Sequence, residues 1–119
     1  MRTLLLVEDD DLKAKEILRI VTLAGIPAER ASTMVEAARL LRREGEGQIG
    51  AVITDWQFPF NIGTNVPVDH AGEVVVRMAQ DRQVPYIVIS GRDPVEGVKP
   101  WLEVGNTNDL KAWLAQQLP

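Results

Sequence analysis

Three short apolar runs punctuate the chain, and each stops at polar residues with chemistry to offer. Leu4-Leu5-Leu6-Val7 ends in Glu8-Asp9-Asp10-Asp11, Ala51-Val52-Ile53-Thr54 ends in Asp55, and Pro85-Tyr86-Ile87-Val88-Ile89 ends in Ser90-Gly91. The first run has no polar alternation and is too short for a buried helix. Being also too short for a membrane span, it predicts a strand covered on both faces, as in the middle of a parallel sheet, and the other two runs read the same way. Weaker strands are expected at 28–31 and within 99–104.

Between the runs the apolar spacing becomes helical. Leu12, Ile17, Leu18, Val21 and Ala24 predict a first helix over 11–24, with Asp10 or Asp11 as its N-cap and Gly25-Ile26-Pro27 as its stop. Thr33 and Glu36 form a capping box ahead of Met34, Ala37, Ala38 and Leu41, for a second helix ending near Glu44. Val75, Met78 and Ala79 predict a third over 71–81, and Leu110, Trp113, Leu114 and Leu118 a last one entered through Asn106-Thr107-Asn108-Asp109. Residues 92–97 are too few and too broken for a full helix. Strands alternating with helices in this way give a doubly wound parallel sheet, an α/β three-layer sandwich of five strands with helices on both faces. Residues 1–119 read as one domain, with no repeat and no linker.

Composition narrows the function more than the fold. A net charge of −4 gives no basic footprint for nucleic acid. The absence of cysteine removes thiol catalysis, disulfides and cysteine-ligated metals, and a single histidine, His70, leaves little scope for zinc. No apolar run approaches membrane-spanning length, so a cytoplasmic location without membrane contact is expected.

The chemistry lies at the strand ends. In an open α/β sheet, ligands bind outside the carboxyl ends of the strands, and here those ends gather Glu8, Asp9, Asp55 and Ser90, with Lys99 downstream. Clustered carboxylates repel one another unless a hard cation neutralises them, and Mg²⁺ takes oxygen ligands and is commonly completed by phosphate oxygens. Asp55 is then a candidate nucleophile toward a phosphoryl group, with Ser90 and Lys99 stabilising its oxygens. Asp10 and Asp11 read as helix caps, His70 as a surface loop residue, Trp101 and Trp113 as core or interface anchors, and Arg39, Arg42 and Arg43 as a solvated face.

These residues resemble the receiver domain of two-component response regulators. The resemblance rests on the first strand with Glu8-Asp9-Asp10, on Asp55-Trp56-Gln57-Phe58-Pro59, on Ser90-Gly91, and on Lys99-Pro100-Trp101 after the last strand, all in the family's order. It implies a flavodoxin-like fold in which Glu8, Asp9, Asp55 and the backbone carbonyl of Gln57 hold Mg²⁺. Asp55 accepts phosphate from a histidine kinase or phosphotransfer partner, with Ser90 and Lys99 on the phosphoryl group. The output is protein–protein contact by a stand-alone receiver, and homodimer formation is left open.

Two departures from the family pattern are visible. Segment 56–70 is unusually long, so that the glycine opening the third helix is Gly72, seventeen positions after Asp55. Only eight residues separate Ser90 from Lys99, so the family's fourth helix is expected to be missing or reduced. The long loop is then expected to be the responsive element, with Trp56, Phe58 and Phe60 as partner contacts. The alternatives are a pseudo-receiver binding module without phosphorylation and a small Mg²⁺-dependent phosphatase-like enzyme. The second is disfavoured by Gln57, which stands where a general acid would be needed.

Overall fold

The computed structural model describes residues 2–63 and 66–117. Five parallel strands form one sheet in the order β2-β1-β3-β6-β7: β1 Thr3–Val7, β2 Ala28–Ala31, β3 Ile49–Thr54, β6 Tyr86–Ile89 and β7 Trp101–Leu102. The helices are α1 Asp11–Leu23, α2 Met34–Leu41, α3 Ala71–Asp81 and α4 Thr107–Gln117.

Strand β1, flanked by β2 and β3, shows why an unbroken apolar run was required. Successive side chains leave a strand on opposite faces. Leu4 and Leu6 therefore pack with Ala14, Ile17 and Val21 of α1 and with Leu110, Trp113 and Leu114 of α4. Leu5 and Val7 pack on the other face with Ala37, Leu40 and Leu41 of α2 and with Ala71, Val75 and Ala79 of α3. Both faces of β1 are covered, and each of these side chains contributes about 1.5–3 kcal/mol by burial.

The caps follow the sequence. The Asp10 carboxylate accepts from the N–H groups of Leu12 (2.9 Å) and Lys13 (3.1 Å). The Thr33 hydroxyl accepts from the N–H of Glu36 at 3.2 Å, while the Glu36 carboxylate reaches back to the N–H of Ser32 at 3.1 Å. Helix α2 stops at Leu41, short of Glu44. Leu118, expected on the apolar face of α4, lies outside the described residues.

Among its described residues, segment 56–70 has more structure than its lack of periodicity suggested. It holds a short antiparallel hairpin, β4 Phe58–Pro59 against β5 Pro67–Val68. Trp56 and Phe58 are fully buried, which corrects their expected role as partner contacts; Phe60 and Ile62 are exposed. Trp56 turns inward because it packs with Val76 and Val88, meets Trp101 in a tilted ring contact with centroids 5.1 Å apart, and donates its indole N–H to His70 Nδ1 at 2.9 Å. Between β6 and β7 the chain makes only turns, so the fourth helix in chain order is the C-terminal α4.

Candidate functional site

The sheet order reverses between β1 and β3, and a crevice opens at the carboxyl ends of these two neighbours. Their register pairs Val7 with Thr54, which sets the next residues, Glu8 and Asp55, side by side. Single carboxylate oxygens of Glu8, Asp9 and Asp55 all lie within 4.8 Å of one another. Ser90, Gln57, Gly91 and Arg92 line the same cavity.

Each side chain is fixed by its neighbours. Asp55 Oδ1 accepts from the Trp56 N–H at 2.7 Å and lies 3.4 Å from the Lys13 ammonium. The Ser90 hydroxyl oxygen accepts from the Arg92 N–H at 3.2 Å, so its own proton is free to donate. The Gln57 side chain donates to Asp69. Helix α3 closes the floor, where the Gly72 N–H donates to the Trp56 carbonyl at 2.8 Å.

Electrostatics mark Glu8 as the unusual member. Its side chain is buried, and burial first, then the negative charge of Asp55, push its carboxyl from the ordinary 4.5 to about 8, while Lys13 opposes the shift. Asp9 is raised for the same leading reason, loss of hydration. Glu8 Oε1 faces Lys13 at 3.4 Å, whereas Oε2 is buried without a hydrogen-bond partner. A buried acceptor lacking a donor is costly. One lying among two further carboxylates matches the all-oxygen donor set of a hard divalent cation, so the residues fit Mg²⁺.

Lys99 does not line this cavity. The last strand falls within 99–104 as its residues suggested, but after Lys99 and not before it as the resemblance implied, so Lys99 precedes β7 and lies on the amino side of the sheet. It is exposed and makes no ion pair among the described residues. Asp10 is the N-cap of α1, as its sequence context suggested; Asp11 lies in the first turn and pairs with Arg30 at 2.9 Å. The residue that sequence reasoning missed is Lys13, whose ammonium also donates to the Ile89 carbonyl at 2.9 Å. Its position one turn into α1, after the acidic run, was the available signal.

No family model and no curated relative matches the chain. Solved structures do. A response regulator receiver domain protein from Methanospirillum hungatei superposes with a TM-score of 0.71 at 19% identity, covering 98% of this chain and 96% of that one. The receiver domain of a sensor histidine kinase from Pseudomonas aeruginosa, with a magnesium ion coordinated in its active-site cleft, gives 0.75 at 19% identity over 97% and 95%. The signal receiver domain of a Luxo repressor protein from Vibrio parahaemolyticus gives 0.75 at 20% identity over 98% and 90%. Sequence identity is low and coverage nearly complete: the chain has the fold of response-regulator receiver domains.

Proposed function

We propose that this chain is a phosphoryl-accepting receiver module, with Asp55 as the acceptor, served by a histidine kinase or phosphotransfer partner and signalling through protein–protein contact. The observation that carries the reading is the meeting of Glu8, Asp9 and Asp55 at the carboxyl edge of the two central strands. Glu8, Asp9 and Asp55, with the Gln57 carbonyl, are the residues that would hold Mg²⁺. When bound, the ion offsets the negative charge of the acids and of an incoming phosphoryl group.

The chain's own residues define the transfer. Two donors hold Asp55 Oδ1, which leaves Oδ2 as the attacking atom. Oδ2 forms a bond to the phosphorus of a phosphohistidine whose other ring nitrogen is protonated. The P–N bond breaks, its electron pair returns to the ring, and the products are an aspartyl acyl phosphate and a neutral imidazole. The Ser90 hydroxyl donates to a phosphoryl oxygen. Gln57 has no ionisable proton, so nothing at that position acts as the general acid of a phosphatase-like enzyme.

The pseudo-receiver reading is favoured by one observation, the displacement of Lys99 from the site. Beryllofluoride with Mg²⁺ separates the two. A phosphoryl-accepting receiver changes its tryptophan fluorescence on addition, through Trp56 next to the acceptor, and Asp55→Asn does not. Equal behaviour of wild type and Asp55→Asn would sink the proposal in favour of the binding module.

A further inference from the structure

The register of the last strand leaves the site without the lysine that sequence matching offered, yet the site contains an ammonium. Val88 pairs with Trp101 and Ile89 with Leu102, so the carboxyl end of β7 delivers exposed Glu103, not a cation. Continued backward, the same register carries Lys99 toward the level of Tyr86, four residues and about 13 Å before Ser90 at ~3.3 Å per residue. Lys13 comes from the opposite direction. Its side chain is 14% exposed, and its nitrogen lies 3.4 Å from Glu8 Oε1, 3.4 Å from Asp55 Oδ1 and 2.9 Å from the Ile89 carbonyl. The ammonium thus donates to one carbonyl and ion-pairs with two carboxylates, and these three groups belong to the ends of β6, β1 and β3.

We infer that Lys13, reaching in from the first turn of α1, is the cation that pairs with the phosphoryl group on Asp55, and that Lys99 has no part in the site. The inference rests on the receiver reading of Asp55. The placement of Lys13 has a second consequence that needs no phosphoryl group. A fixed positive charge within ion-pair distance of two of the three carboxylates competes with a divalent cation for them. Removing it therefore has opposite effects on the two ligands: the metal alone binds tighter, and the phosphoryl mimic binds weaker. A lysine that merely packed would move neither.

The experiment compares wild type, Lys13→Gln, Lys13→Arg and Lys99→Gln. Mn²⁺ alone is titrated by calorimetry, and beryllofluoride with Mg²⁺ is followed by tryptophan fluorescence. Lys13→Gln is expected to tighten Mn²⁺ roughly tenfold and to lose the beryllofluoride response. Lys13→Arg retains part of the response, and Lys99→Gln matches wild type in both titrations. Loss of the response in Lys99→Gln overturns the assignment, and because Lys99 is exposed that result stands even if Lys13→Gln fails to fold. Unchanged Mn²⁺ affinity in a folded Lys13→Gln also overturns it. If wild type binds Mn²⁺ and ignores beryllofluoride, the receiver reading itself has failed. The Mn²⁺ comparison then decides separately whether Lys13 is the site's internal counter-ion.

Discussion

Gly72 and Asp55 are in backbone contact: a Cβ built on Gly72 would stand 2.5 Å from the Asp55 carbonyl oxygen and 2.9 Å from Trp56 Cα. Helix α3 therefore approaches the acceptor turn too closely for a side chain at Gly72, and the Gly72 N–H donates to the Trp56 carbonyl of that turn. The family resemblance singled out this glycine although it stands seventeen positions after Asp55.

Gly72→Ala should consequently act on the site as well as on stability. The added methyl meets backbone, which cannot rotate away, so α3 must shift. Overpacking of this kind costs about 1–3 kcal/mol. Chemical denaturation should show that loss, and Mn²⁺ titration should show weaker binding than in wild type, because the shift moves the Asp55–Gln57 backbone. Wild-type metal affinity in a destabilised Gly72→Ala would mean that the contact serves packing alone.

The hairpin after Asp55 should divide into an inner and an outer half. Phe58 is fully buried against the α2–α3 face, and Phe58→Ala should cost about 3–5 kcal/mol. Ile62 is 79% exposed, and Ile62→Ser should stay within about 0.5 kcal/mol of wild type. Urea unfolding of both variants checks the pair. Comparable losses would show that the segment packs as a unit.

Glu8 predicts a pH dependence of definite sign. Its folded carboxyl keeps its proton up to about 8, while the unfolded chain releases it near 4.5. Between those values the native state binds more protons, so the contribution of this group to stability is full below 4.5 and is lost as pH rises through 8. Glu8→Gln mimics the protonated form at every pH. Its melting temperature should therefore pull ahead of wild type as pH rises from 5 to 8.5, in metal-free buffer. Metal binding has the opposite slope, because the ligand must be ionised. Wild-type Mn²⁺ affinity should climb over the same range and level off above about 8, and Glu8→Gln should bind poorly throughout. A melting difference that does not change with pH would remove Glu8 as a buried, protonated acid.

Much of this site could be read from letters alone, for a local reason. Leu4–Val7, Ala51–Thr54 and Tyr86–Ile89 announce buried parallel strands, and in such a sheet the residue following each strand is at the ligand edge; Glu8, Asp55 and Ser90 needed nothing more. Lys99 did need more. A two-residue strand has no periodicity to fix where it begins, so the motif Lys99-Pro100-Trp101 matched in letters while the strand started after the lysine. The inward turn of Trp56 and Phe58 depends on α3 and Trp101 packing over them, contacts with no local signature. The reach of Lys13 depends likewise on the angle at which α1 leaves the acidic run.

The central claim is that Asp55 accepts a phosphoryl group in a metal-dependent way. Intact-mass measurement after incubation with acetyl phosphate tests it most directly, with and without Mg²⁺, on wild type and Asp55→Asn. Wild type with Mg²⁺ should gain the mass of one phosphoryl group, lost on hydroxylamine treatment as an acyl phosphate is, and the Mg²⁺-free and Asp55→Asn samples should gain none. No gain in wild type, or an equal gain in Asp55→Asn, would contradict the account.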